Sequence, residues 1–294
     1  MPAVSPVECV VDIECQVGEN PLWHPELKSL FFVDIPVGKI YAYTPATHEY
    51  VLFSQGPVTG GMTLQDNGSL LLFQDGRISV LTMDGHQQEV AAGLFSANDR
   101  FNDVIADPEG RVFAGIMGRN GRLVRIDVDG RITELFDGVG LPNGMDFTPD
   151  CRHMYFIDSN IRQIYRFEYD RGRGTLSDKK VFVTIPADLG LPDGMAVDGN
   201  GFVWIAIWFG GCIRRFAPDG SLDCEVRLPV KQGSSLAFGG SQLDHVYVTS
   251  AASTDGDAWR PALCDINAPR GGGLYRFQID GVRGRPAFRS RLRF

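Results

Sequence analysis

The chain has 294 residues, 44% hydrophobic and 22% charged, enough for one large globular domain or two ordinary ones. Its net charge of −8 argues against a nucleic-acid backbone as partner, because such binding needs a basic surface. No apolar run approaches the ~18 residues of a membrane span, and MPAVSPVECV has neither a basic n-region nor an apolar h-region. The expectation is a cytoplasmic protein with no signal peptide and no membrane partner, and free, mostly buried thiols at its six scattered cysteines.

The first element is VECVVDIEC (7–15), where Val7, Cys9, Val11 and Ile13 alternate as in a strand. GENPLWHP (18–25) follows, with a polar start, an apolar alternation and a turn. The pattern returns as TGGMTLQD (59–66), FNDVIADP (101–108), PNGMDFTP (142–149), PDGMAVDG (192–199) and SSLAFGG (234–240). The turns at Pro25, Asp66, Pro108, Pro149, Gly199 and Gly240 lie 41, 42, 41, 50 and 41 residues apart. After each comes a run such as SLFFVDI, RVFAGIM or HMYFIDS, then another such as KIYAYTP, RLVRIDV or QIYRFEY. These runs are rich in Val, Ile, Phe and Tyr and read as strands. Almost nothing reads as a long amphipathic helix.

Six units of about 42 residues, each with several short strands, predict an all-β, six-bladed β-propeller. Its four-stranded antiparallel blades would surround a central channel, in one domain spanning residues 1–294. The strand at about 7–15 would complete the last blade and leave no open edge. The longer fourth interval predicts an enlarged hairpin around YDRGRGTLSDKK (169–180). The final GVRGRPAFRSRLRF, with five arginines, reads as a solvated tail or an edge strand.

Six residues before each turn stand Glu19, Gly60, Asn102, Asn143, Asp193 and Ser234, at the start of each blade's first strand. Innermost strands line the channel, so these residues should ring one of its mouths. The NG and DG pairs at 143–144 and 193–194 would elsewhere indicate turns. Here they share a repeat phase and border apolar alternation. The ring offers oxygen donors, with no sulfur or imidazole. Two converging carboxylates repel unless a proton or a cation lies between them. Oxygen-only ligation suits one divalent cation, Ca²⁺ first, with Mg²⁺, Mn²⁺, Zn²⁺ and Fe²⁺ as alternatives.

The phrases GENPLW (18–23), FFVDIP (31–36), RFND (100–103), DPEGRVFAGIM (107–117), LPNGMDF (141–147), YFIDS (155–159), LPDGMAVD (191–198) and AFGG (237–240) resemble the SMP-30/gluconolactonase/LRE-like family over nearly the whole chain. The resemblance implies a six-bladed propeller with one divalent metal in its channel. It implies Glu19, Asn143 and Asp193 as metal ligands and Arg100 and Asn102 as the substrate-binding pair. The implied reaction is hydrolysis of a sugar lactone or a related small lactone, with Asp193 as general base. In the regucalcin branch an acidic residue follows AGTM and touches substrate. This chain has Arg119 and Asn120 there, so no residue is assigned that role.

An esterase or organophosphate hydrolase on the same metal is the alternative activity, and a calcium-binding, non-enzymatic propeller is the alternative class. The opposed carboxylates weigh against a bare scaffold. Trp208 and Phe209 could wall the mouth beside Asp193, while Asp34 and Asp158 read as structural hydrogen-bond acceptors. DVDG (127–130) reads as a hairpin turn, and the histidines show no metal or catalytic spacing and are expected at the surface. The oligomeric state is left open.

Overall fold

The computed structural model describes residues 3–253, 264 and 267–294. Among them the strands form six four-stranded antiparallel sheets, a six-bladed β-propeller. The innermost strands, in blade order, are Gly18–His24, Thr59–Leu64, Arg100–Ala106, Pro142–Phe147, Leu191–Val197 and Gly233–Gly239. Each touches the innermost strands of both neighbouring blades, closing a ring about the axis. The one helical element among the described residues is a short 3₁₀ turn at Ile35–Val37.

The sixth blade takes Gly233–Gly239, His245–Ser250 and Leu274–Gln278 from the end of the chain and Glu8–Val11 from its beginning. Glu8 stands opposite Arg276 and Cys9 opposite Tyr275, and a bulge between Cys9 and Val11 interrupts the pairing. This strand is shorter than the 7–15 alternation suggests. The enlarged hairpin of the fourth blade is present as Gln163–Asp170 and Thr175–Thr184.

Blades pack face to face, so their second strands are covered on both sides. Ser29–Asp34 and Leu70–Gln74 are buried throughout, which is why LFFV and LLLF read as continuous apolar runs rather than alternating ones. The core lies between blades. Trp204 of the fifth packs on Phe238 and Phe277 of the sixth at 5.8 and 6.1 Å, and Phe73 of the second meets Phe101 of the third at 5.2 Å. Buried carboxylates tie the turns: Asp107 accepts from the Glu109 and Arg111 amides and from Arg111 Nε at 2.6 Å. Asp198 repeats this with Asn200, Phe202 and the Arg215 guanidinium.

The C-terminal segment is neither a loose tail nor an edge strand. It crosses the face where the innermost strands end. Gly284 N bonds Leu243 O, Arg285 pairs with Asp146, and Arg289 pairs with Glu26. Ser290, fully buried, bonds Leu64 O through its amide and Thr63 through its hydroxyl at 2.8 Å. Arg291 and Arg293 then reach the third blade through Gly110 O and Val128 O. The arginines bond backbone carbonyls and carboxylates of several blades, a long-range fit that charge counting does not reveal.

Two lesser expectations also change. Only Cys15, Cys212 and Cys224 are buried; Cys151 and Cys264 are half-buried and Cys9 is exposed, with no disulfide among the described residues. His24 is buried rather than superficial, with Nε2 2.9 Å from Gly68 O of the next blade. No helix among the described residues is long and apolar enough to cross a membrane.

Candidate metal and substrate site

Every innermost strand carries a register shift at the same phase: Glu19/Leu22, Thr59/Gly61, Phe101/Val104, Pro142/Met145, Pro192/Met195 and Gly233/Leu236. The six residues found by phase, Glu19, Gly60, Asn102, Asn143, Asp193 and Ser234, all lie at these bulges. A bulge frees a side chain from the strict in–out alternation and re-aims it, here at the sheet edge that lines the axis. All six are buried.

The NG and DG glycines follow from this geometry and not from turns. A Cβ on Gly144 would lie 2.6 Å from Met195 N, and one on Gly194 would lie 2.1 Å from Ser235 Oγ. Neither glycine has a positive φ. Their role is close approach between neighbouring innermost strands.

The ring is joined by a directed chain of hydrogen bonds. Arg100 Nη1 donates to Asn102 Oδ1 at 3.1 Å and to Phe101 O at 2.9 Å. Asn102 Nδ2 donates to Pro142 O and to Asn143 Oδ1, at 2.8 and 2.5 Å. Asn143 Nδ2 donates to Ser159 Oγ at 2.7 Å, and Ser159 donates to Pro192 O at 2.6 Å. The predicted substrate pair, one predicted metal ligand and the residue before Asp193 are thus one network. Among the described residues the Arg100 guanidinium is hydrogen-bonded through Nη1 alone.

On the opposite side, Glu19 Oε2 accepts from Asn20 N at 2.7 Å, and Asn20, at φ 46°, turns its Oδ1 to Met62 N at 2.8 Å. Burial raises the Glu19 carboxyl well above the usual range, and the charges of Asp193 and Asp103 raise it further. Asp193 is raised by burial and then by Asp103. Asp103 is pushed up to about 7 by burial, with Arg100 pulling it back.

This donor set fits a divalent cation. Glu19, Asp103 and Asp193 are buried together, and the Arg100 guanidinium interacts with Asp103, Asp75 and Glu19, so negative charge is in excess and a cation would offset it. Among the described residues no three His, Cys, Asp or Glu side chains are grouped to hold a metal. The remaining predicted oxygen donor in the ring is neutral: Asn143 Oδ1, which accepts from Asn102 Nδ2. Hard oxygens favour Ca²⁺, Mg²⁺ or Mn²⁺.

Asp103, Asn20, Ser159 and Ser235 were not expected here. Asn20, Asp103 and Ser235 each directly follow a ring residue, in the second place of the bulge, where period two would send them away from the axis. Beyond the ring the channel widens into a cavity of about 530 Å³, lined by Met62, Asp103, Met145, Met195, Arg285 and Phe288. The C-terminal segment therefore forms part of the wall at that end.

Trp208 pairs with Leu191 at the start of the Asp193 strand and is half-buried. Phe209 is 3% exposed at φ 66°, a strained position for an aromatic residue, and stands edge-on to Trp208 at 6.0 Å. Arg119 and Asn120 are exposed. Asp34 and Asp158 are structural acceptors, each taking two backbone N–H groups from the loop before an innermost strand.

Residues 17–252 match the family model described as SMP-30/Gluconolactonase/LRE-like region. The chain is 42% identical over 288 residues to pentonolactonase XacC of Haloferax volcanii, covering 97% of this chain and 98% of that protein. It is 31% identical over 291 residues to regucalcin of Xenopus laevis, covering 95% and 96% of the two chains. Its fold superimposes on a luciferin-regenerating enzyme with a TM-score of 0.88 at 26% identity, over 99% of this chain and 100% of the other.

Proposed function

Because the chain belongs to the SMP-30/gluconolactonase/LRE-like family, we propose that it is a divalent-metal-dependent lactonase that hydrolyses a sugar lactone. The name of its pentonolactonase relative supports a five-carbon aldonolactone as first substrate to try. The observation that carries the reading is the buried carboxylate pair Glu19–Asp193, both raised by burial and Glu19 further by the charge of Asp193, in the same ring of bulges as Asn143.

Glu19, Asn143 and Asp193 would hold the ion. When bound, such a cation polarises a carbonyl and acidifies water. Asp193 takes the proton of the attacking water as general base. Arg100 holds substrate oxygens through its guanidinium. Asn102 has spent both N–H bonds on Pro142 and Asn143, so it can only accept, through the second lone pair of Oδ1. It therefore suits a substrate hydroxyl rather than the lactone carbonyl. Burial keeps water out and strengthens each of these interactions as charge develops.

The test is proton release from a panel of aldonolactones by metal-stripped protein, with Ca²⁺, Mg²⁺, Mn²⁺ or Zn²⁺ restored singly. Hydrolysis that returns with a metal is the expected result. A folded protein that hydrolyses none of them with any metal would refute the assignment.

A further inference from the structure

We propose that Ser159 is a positioning residue that decides which atom of Asn143 faces the metal. The inference rests on the metal-site reading above and concerns a residue without a ligand role of its own.

An asparagine amide has two faces of similar shape and opposite hydrogen-bonding character. Asn143 is useful to a cation only with Oδ1 toward the axis. Ser159 Oγ accepts Nδ2 at 2.7 Å while its own proton goes to Pro192 O at 2.6 Å. That second bond commits the hydroxyl: having given its proton away, it faces Asn143 as an acceptor, and only Nδ2 can satisfy it. From the other side Asn102 Nδ2, a donor, faces Oδ1. A flipped amide would set donor against donor at Asn102 and acceptor against acceptor at Ser159. The bond to Pro192 O also anchors the strand start that carries Asp193, so one buried hydroxyl aligns two proposed ligands from adjacent blades.

The position is specific to one blade. By strand register, the places corresponding to Ser159 hold Ile35, Asp75, Met117, Trp208 and Ala251. Ser159 is the one hydroxyl in the set, and it stands in the blade whose ring residue is an amide that must be oriented. In the fourth blade the preceding Asp158 already satisfies the loop amides of Gly140 and Leu141, so that loop does not need the Ser159 side chain.

The experiment is calorimetric titration of Ca²⁺ into metal-stripped parent, Ser159→Ala, Ser159→Cys, Asn143→Asp and the double variant Asn143→Asp/Ser159→Ala, each checked for folding by circular dichroism. Both Ser159 variants should bind at least about tenfold more weakly than the parent, the range for losing a partner that orients a ligand. The cysteine variant keeps the volume and loses most of the hydrogen bonding, which covers a failure of the alanine variant to fold. In the Asn143→Asp background the alanine substitution should weaken binding at least about threefold less than in the parent background, because a carboxylate has no wrong face and only the anchoring of the Asp193 strand is then lost. Binding by both Ser159 variants within about twofold of the parent would overturn the inference, as would equal weakening in both backgrounds. A parent that binds no divalent cation would instead overturn the metal-site reading, and the inference with it.

Discussion

Replacing Asp103 by asparagine should stabilise the metal-free protein at alkaline pH. Asp103 is 8% exposed, beside Glu19 and Asp193, and its pKa is raised from 3.8 to about 7. Below about pH 4 its carboxyl is protonated in both the folded and the unfolded chain, and the shift costs nothing. Between about pH 4 and 7 the unfolded chain ionises while the folded one does not, so stability falls; above about 7 the loss is constant. Three units correspond to about 4 kcal/mol. The amide is still a polar group in a largely buried place and gives back part of this, leaving about 2–3 kcal/mol. For a chain of this size that is roughly 3–5 °C in Tm. The assay is a series of thermal melts in chelator from pH 4.5 to 8.5. Asp103→Asn should melt above the parent at pH 8, with the gap closing toward pH 4.5, and added Ca²⁺ should raise the parent's Tm most at pH 8. Equal Tm values at pH 8, or a gap that widens in acid, would refute the electrostatic reasoning.

Asp193→Asn should lower turnover by at least about 10²-fold. Near-normal turnover with metal bound would remove Asp193 from the role of base. Glu19→Gln should act mainly on metal affinity, read by calorimetry, and an unchanged affinity would count against its being a ligand. Gly194→Ala drives a methyl to 2.1 Å from Ser235 Oγ and should cost about 1–3 kcal/mol in denaturant titration; a neutral result would mean the innermost strands are not held at this spacing. Deleting residues 285–294 removes the buried Leu292, a loss of about 1.5–3 kcal/mol by itself, along with the Ser290 bonds. The expected drop in Tm is at least about 5 °C, and an unchanged melt would show the strap to be dispensable.

The fold was legible because a propeller writes its period into the chain. Turns 41 or 42 residues apart and continuous apolar second strands leave few other architectures. The phase of the repeat also located all six ring residues, since corresponding positions must surround one axis. What phase could not supply was the bulge. It places two consecutive residues at the axis where alternation allows one, and so hid Asn20, Asp103 and Ser235. The role of Ser159 was hidden for another reason. Its partners lie 16 and 33 residues away on other strands, and a serine after a strand carries no sign of which amide it orients. The C-terminal strap likewise bonds residues more than 200 positions distant, beyond the reach of any local pattern.

These features divide the labour between backbone and side chains. The bulge recurs in all six innermost strands, so six residues are presented at the axis whatever their chemistry. Small residues then set how near the strands come: glycine at 144 and 194 admits backbone contacts that a Cβ would forbid. Within that frame the chemistry rests on departures from symmetry. One blade supplies Asn143 with Ser159 to orient it, the next supplies Asp193 with no such hydroxyl, and the first supplies Glu19 against Asn20. A carboxylate offers oxygen at either face and needs no orienting partner, whereas an amide does. The single serine among the six corresponding positions falls beside the one ring amide assigned to metal binding, as that asymmetry requires.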